Sequence, residues 1–239
     1  MNWFDANLVH LINGLAHRSV TVDTWMAFLS YDGFQKGGIV VFLLWWAWFL
    51  PEKEGAERNR ETLLSVMLAA PFALALSRFI SYVAPFRERP LHNPALHIRI
   101  AYGLNQQTLI HWSSFPSDHA VLFFTLVAGL FLVSRWAGIF ASLYVLAFVC
   151  FPRVYLGLHY PTDILVGAGL GIGVGYLVCL PRIGTAVARP ILRWKEAYPG
   201  VFYAMLFCYT YQLADAYGWA RDVLVVAYNS AVAASRRFG

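Results

Sequence analysis

The sequence predicts an all-α protein, a polytopic bundle of about six transmembrane helices, with an amphipathic helix lying in the membrane interface at its N-terminus. Three observations predict it. Only 13% of the 239 residues are charged, against roughly a quarter in soluble domains, while 59% are hydrophobic and 17% aromatic. The apolar residues gather into runs that approach the ~20 residues needed to cross a bilayer. The basic residues, which give a net charge of +5, fall between those runs, where they act as topology signals and not as a nucleic-acid surface.

The elements follow in chain order. Residues 1–36 form the N-terminal interfacial segment. Within it Trp3, Phe4, Leu8, Leu11, Ile12 and Leu15 recur at helical spacing, interrupted by Asp5, His10 and His17, which suits a helix lying in the interface. Residues 1–20 lack the basic start and continuous apolar core of a cleavable signal peptide, and the stretch TVDTWMAFLSYDG that follows them within the segment is too short to cross. Residues 37–217 are the membrane core. Its first span runs from Gly37 to Leu50, with Trp45, Trp46 and Trp48 as an aromatic belt. A polar loop, 51–61, leads to the second span, Thr62 to Val83. The loop 84–117, rich in Pro, Arg and His, is of a length that is usually either functional or disordered. The third span, His119 to Ser134, and the fourth, Gly138 to Phe151, are joined by a turn at Arg135. In the fifth, Asp163 to Leu180, Gly167, Gly171 and Gly175 form a small-residue face for close helix packing. A basic loop carrying Arg182, Arg189, Arg193 and Lys195 precedes the sixth span, Val201 to Leu213. The C-terminal segment, 218–239, either lies in the interface or crosses once more. Cys150, Cys179 and Cys208 are odd in number and each sits in an apolar run, so they are read as small hydrophobes, with no disulfide and no metal site.

Alternation of the spans places Lys53, Arg58, Arg60, Arg135, Arg182, Arg189, Arg193 and Lys195 on one side of the membrane. Arg87, Arg89, Arg99 and Arg153 fall on the other. The positive-inside rule makes the second side external.

That external side receives three polar clusters: FRERP (86–90), PSDH (116–119) and RVYLGLHYPTD (153–163). Ionisable residues at membrane depth are costly and point to function. Arg87, Arg89 and Arg153 offer planar forks for phosphate oxygens. Ser117 caps the third span, and a helix N-terminus favours anions through its unpaired N–H groups and dipole. Asp163, four residues after His159, can accept the second imidazole N–H and stabilise a cation on the ring. One histidine can then attack phosphorus while Asp163 supports it, and the other can protonate the leaving oxygen. Asp118 is expected to face away, since a carboxylate repels the anion. No carboxylate cluster suited to Mg²⁺ or Zn²⁺ is evident, so the expected chemistry uses neither metal nor cofactor.

With these residues in hand, the sequence resembles the type 2 phosphatidic acid phosphatase superfamily of membrane lipid phosphatases, which shares motifs with vanadium haloperoxidases. The resemblance rests on Arg89-Pro90, on Pro116-Ser117-Asp118-His119, and on Arg153 followed by His159 and Asp163, and it covers about residues 78–180. It implies His159 as the nucleophile that forms a phosphohistidine and Asp163 as its partner. It implies His119 as general acid, with Arg89, Ser117 and Arg153 binding phosphate. The wording SFPSDHA, RVYLGLHYPTDILVG and LVHLINGLAHRSVTVDTWMAFLS looks most like the bacterial undecaprenyl-diphosphatase branch. That branch implies a multi-pass protein of the bacterial plasma membrane acting on a lipid diphosphate. Two positions depart from the family pattern. Tyr82 stands where the family has a lysine, leaving Arg78 or Arg87 as substitute cations for the phosphate, and Pro152 stands where it has a serine, where Pro152 is expected to end the fourth span. Phosphatidate, phosphatidylglycerol phosphate and lipid A phosphate are alternative substrates, and a transporter of anionic lipids is the alternative of another class. His119 with His159 and Asp163 separates the two, because transport needs positive charge but no acid and no nucleophile.

Overall fold

A computed structural model describes residues 2–51 and 56–218, and within them it is helical with no strand. The elements are α1 (Trp3–Asn13), α2 (Val20–Tyr31), a π-helical turn (Phe34–Gly38) leading into α3 (Ile39–Trp48), α4 (Ala56–Val83) and α5 (Asp118–Val133). They continue with α6 (Arg135–Tyr144), a π-helical turn (Val145–Cys150), α7 (Phe151–Tyr155), α8 (Pro161–Val178), α9 (Pro181–Ala197) and α10 (Pro199–Ala214). Residues 219–239, which hold most of the expected C-terminal segment, lie outside the described residues.

The bundle is built around α5. Every residue from Ala120 to Leu130 is buried, so this helix is apolar all round because it has protein on all sides. Its main neighbours are α8 and α4. Three helical stretches are long and apolar enough to cross a membrane: 57–83, the continuous 135–155, and 161–178. The other expected spans are shorter. The 16 residues of α5 rise about 24 Å, less than the ~30 Å hydrocarbon core, and α10 has the same length.

Two expectations change on the ends of these elements. The stretch read as a basic loop after the fifth span is the helix α9, whose Gly184, Ala188 and Leu192 recur every fourth residue and are buried. Its basic residues occupy the remaining faces, which lowered its apolar signal without breaking its helical period. The fourth span does not stop before Pro152. The wider turns at 145–150 carry the chain into α7, with Pro152 in its first turn, where a missing N–H is tolerated.

The N-terminal segment forms two short helices. In α1 the residues turned inward are Asp5, Val9 and Asn13, while Trp3 and Leu11 are 81% and 70% exposed. The protein-facing stripe is thus partly polar, and its polar groups are all engaged. Asn13 donates to the carbonyls of Arg99 and Tyr155 and accepts from the Arg99 N–H. Asp23 of α2, fully buried, accepts from the N–H groups of His17 and Tyr102 and from the Tyr155 hydroxyl. These bonds tie the long loop 84–117 to the N-terminal helices and to α7, which gives an otherwise irregular segment a fixed path.

Candidate active site

The chain reversals bring the three polar clusters to one end of the bundle: the end of α4 with the loop after it, the start of α5, and the α7–α8 connection. Helices α5 and α8 run in the same direction, with Gly167, Gly171 and Gly175 of α8 against the backbone of Ser117, Val121 and Thr125 of α5. The Ser117 N–H, one of the free donors at the start of α5, bonds the Asp163 carbonyl at 3.1 Å. Two helix N-termini therefore meet at this mouth, both with the positive end of their dipole toward it.

His159 lies in the connection before α8 and is buried. Its Nδ1 is 2.8 Å from the Ser114 carbonyl, which can only accept, so Nδ1 carries the proton and Nε2 is left with its lone pair. Nε2 faces Arg89, 3.5 Å from Nη1. The Asp163 carboxylate, expected to accept this N–H, comes only to 3.7 Å from Nδ1, beyond hydrogen-bond distance, and its Oδ2 accepts the Tyr160 N–H at 2.8 Å instead. Burial and the charge of Arg89 lower the pKa of His159 from the usual 6.5, and contact with Asp163 opposes them. The ring is consequently neutral at physiological pH, as a nitrogen nucleophile requires.

Arg89, 4% exposed, is fixed by three carbonyls, Trp112, Leu158 and Ser113, at 3.1, 2.5 and 3.2 Å. Burial pushes its pKa down to about 10, so it keeps its charge. Arg153 is also buried and donates to the carbonyls of Val149 and Ser30. Each guanidinium has five N–H donors, so these few bonds orient the forks without exhausting them. The hydroxyls of Ser114 and Ser117 are buried with no hydrogen-bond partner among the described residues, so Ser117 stands at the N-cap of α5 without the side-chain capping bond expected of it. Buried polar groups left unpaired cost about 1–3 kcal/mol each, a cost that a ligand accepting from both hydroxyls would relieve. Ser114 was absent from the sequence-derived set. The signal that would have found it is its place three residues before Ser117 in SSFPSDHA.

His119, half-buried in the first turn of α5, opens on a cavity of about 380 Å³ lined also by Lys36, Arg78, Trp112, Asp118 and Asp215. Asp118 does not face away from it. It accepts from Ser77 at 2.7 Å and pairs with Arg78, whose guanidinium also lies over the Trp112 ring. Lys36 joins this wall from the π-helical turn before α3, its Nζ 3.1 Å from Asp215 Oδ1. Tyr82 points outward, 88% exposed, while Arg78 and Lys36 line the cavity beside His119. Arg87 is placed differently from the phosphate role read in the sequence. Its fork spans Asp163 Oδ1 at 2.5 Å, Thr162 at 2.9 Å and Asp5 Oδ2 at 2.6 Å, with its plane over Tyr160. Among the described residues, no three of His, Cys, Asp and Glu gather as a metal site.

A helical bundle with membrane-length apolar helices and two histidines and buried arginines toward one end fits the class of membrane-embedded phosphatases. The chain is a member of the PAP2 superfamily, whose family model matches residues 61–181. It is 24% identical over 170 residues to the undecaprenyl-diphosphatase BcrC of Bacillus subtilis, covering 70% of this chain and 78% of that one. It is 26% identical over 220 residues to the putative undecaprenyl-diphosphatase YbjG of Escherichia coli, covering 90% and 96%. With the decaprenylphosphoryl-5-phosphoribose phosphatase of Mycobacterium tuberculosis it shares 31% identity over 153 residues, 63% of this chain and 75% of the other. The crystal structure of Aquifex aeolicus LpxE aligns with a TM-score of 0.47 at 24% identity, over 72% of this chain and 92% of that one. The protein is thus an integral membrane phosphatase of the lipid phosphatase family.

Proposed function

We propose that this enzyme removes the terminal phosphate of undecaprenyl diphosphate at the external face of a bacterial plasma membrane, through a phosphohistidine on His159. The observation that carries the reading is the buried His159, its Nδ1 held by the Ser114 carbonyl and its Nε2 turned toward the buried Arg89. Two relatives named as undecaprenyl-diphosphatases, one of them putative, align over 70% and 90% of the chain and support the choice of lipid.

In this mechanism the terminal phosphoryl group sits among Arg89, Arg153, Ser117 and the free N–H groups of α5. Nε2 of His159 bonds to phosphorus as the bond to the bridging oxygen breaks. His119 gives its proton to that oxygen, and undecaprenyl phosphate leaves. Water then attacks phosphorus, the N–P bond breaks, and His119 takes the proton released by the water. The arginines and the helix start stabilise the charge on the equatorial oxygens throughout. Phosphate-facing residues lie at the membrane end opposite Arg58, Arg60, Arg135, Arg182, Arg189 and Arg193, which supports an external site.

The test is phosphate release by detergent-purified protein in EDTA, from undecaprenyl diphosphate beside phosphatidate. Undecaprenyl diphosphate is expected to be favoured by about tenfold or more in kcat/KM, roughly 1.4 kcal/mol of discrimination, with no loss of rate in EDTA. Faster phosphatidate turnover would move the substrate to monoester lipids. Tight lipid binding with no release from either would instead support carriage of the lipid without cleavage.

A further inference from the structure

The N-terminal helix reaches further into this site than an interfacial anchor needs to. Asp5 is fully buried, yet it belongs to none of the three motif clusters. Its Oδ1 accepts the backbone N–H of Thr162 at 3.0 Å and its Oδ2 accepts the Thr162 hydroxyl at 2.6 Å. A carboxylate 157 residues away in sequence thus caps the start of α8. The same Oδ2 takes Nη2 of Arg87 at 2.6 Å, while Nη1 of Arg87 holds Asp163. One arginine is therefore shared between two buried carboxylates, and the second of them lies beside the His159 ring.

Resting on the phosphohistidine reading above, we infer that Asp5 is a positioning residue for the reaction: it balances the charge of Arg87, so that the Asp163 carboxylate remains available to the cation that forms on His159. The physical argument is one of charge count. With Asp5 present, Asp5, Arg87 and Asp163 together leave one negative charge near the ring. Without it, Arg87 and Asp163 cancel, and a phosphorylated imidazole carrying positive charge has no counter-charge in a water-poor site. The other charged or titratable groups facing His159 are Arg89, Arg153 and His119, none of which supplies a negative charge.

The experiment titrates His159 by NMR in detergent-solubilised full-length protein with ¹³C-labelled histidine, its resonance assigned by loss in His159→Gln. Asp5→Asn keeps the shape of the side chain and removes its charge. It is expected to lower the His159 pKa by about half a unit, to cut kcat about tenfold with KM within about twofold, and to move the acid limb of kcat/KM down by the same interval. Arg87→Gln in that background removes the unbalanced cation and is expected to return the pKa and part of kcat. A purely structural cap predicts the opposite, an unmoved titration and a double variant worse than either single one, and that outcome overturns the inference. Should Asp5→Asn fail to fold, Arg87→Gln alone keeps the test, because it must raise the His159 pKa, and an unchanged value refutes the charge count. Wild-type protein that titrates as expected but releases no phosphate would defeat the proposed function and leave the charge relay standing.

Discussion

Replacing His159 by Ala is expected to reduce phosphate release by about a thousandfold or more, the scale seen when a nucleophile that acts as part of a unit is removed. The proposed chemistry needs one nitrogen that is unprotonated, aimed and unsolvated. The Ser114 carbonyl fixes the proton on Nδ1 and leaves Nε2 toward Arg89. The other side chains that the mechanism places around the phosphate are arginines, hydroxyls and His119, and His119 is engaged as the acid at the leaving oxygen. His159→Gln is the control for folding, because its amide keeps the length and polarity of the ring without a basic nitrogen. Quenching wild-type protein in alkaline denaturant during turnover of a lipid labelled in its terminal phosphate should trap label on the chain in an acid-labile, alkali-stable form. His159→Gln should trap none. Label retained by that variant would place the covalent step elsewhere. The pH dependence follows from the same environment. Burial lowers the pKa of His159 below 6.5, so the neutral ring persists to lower pH than an exposed histidine would allow. The acid limb of kcat/KM should therefore fall below 6.5, and Arg89→Gln, which removes a cation facing the ring, should move it up.

The reactive cluster was legible in the sequence because its members sit at helix ends. Ser117, His119 and Asp163 each lie within a turn of a long apolar run, and Arg89, Arg153 and His159 flank such runs at fixed short spacings. Alternation of direction then suffices to bring them together. What was not legible depended on contacts across long stretches of chain. Asp5 reads as an interruption in an amphipathic stripe, and only its burial against Arg87 and Thr162 shows that the polar residues of α1 face the protein. Arg87 reads as a phosphate ligand because its carboxylate partners are 82 and 76 residues away. Lys36 sits in a short segment between two helices, and nothing local to QKGG points to the cavity that it lines with His119. Asp118 shows the same limit. Charge repulsion argues that it should turn from the anion, yet Arg78 and Ser77 of α4 neutralise and bind it in place. The helix α9 escaped notice for a different reason, as its basic surface resembles a loop in composition while its four-residue apolar period is that of a helix.

The glycines of α8 allow a second large effect, on the fold that carries the site. A Cβ on Gly171 would lie 2.3 Å from the Val121 carbonyl oxygen and 3.0 Å from the Thr125 nitrogen. Both are backbone atoms of the buried helix α5, which have no rotamer by which to yield, so the helices must move apart. A Cβ on Gly173, two residues on, meets nothing within 4 Å. Close backbone approach through small residues is a principal source of helix association in a bilayer, where burying apolar surface against a neighbour gains little over burying it in lipid. Gly171→Leu is accordingly expected to cost about 3 kcal/mol or more, the upper range for overpacking a core, whereas Gly173→Leu should stay within about 0.5 kcal/mol. The consequence for activity follows from what α5 and α8 hold between them. Ser117 and His119 are on one helix, Asp163 is on the other, and the Ser117 N–H to Asp163 carbonyl bond of 3.1 Å joins their starts. Separation of the helices opens that junction and displaces Ser117 and His119 from His159, and where these residues act together as proposed, misplacement of about 1 Å can cost a hundredfold in rate. Thermal unfolding in detergent, with phosphate release measured well below each midpoint, separates the two effects. A folded Gly171→Leu protein should be slow even when cold, and Gly173→Leu should match wild type in both respects. Equal behaviour of the two variants would mean that this glycine face does not set the spacing of the site.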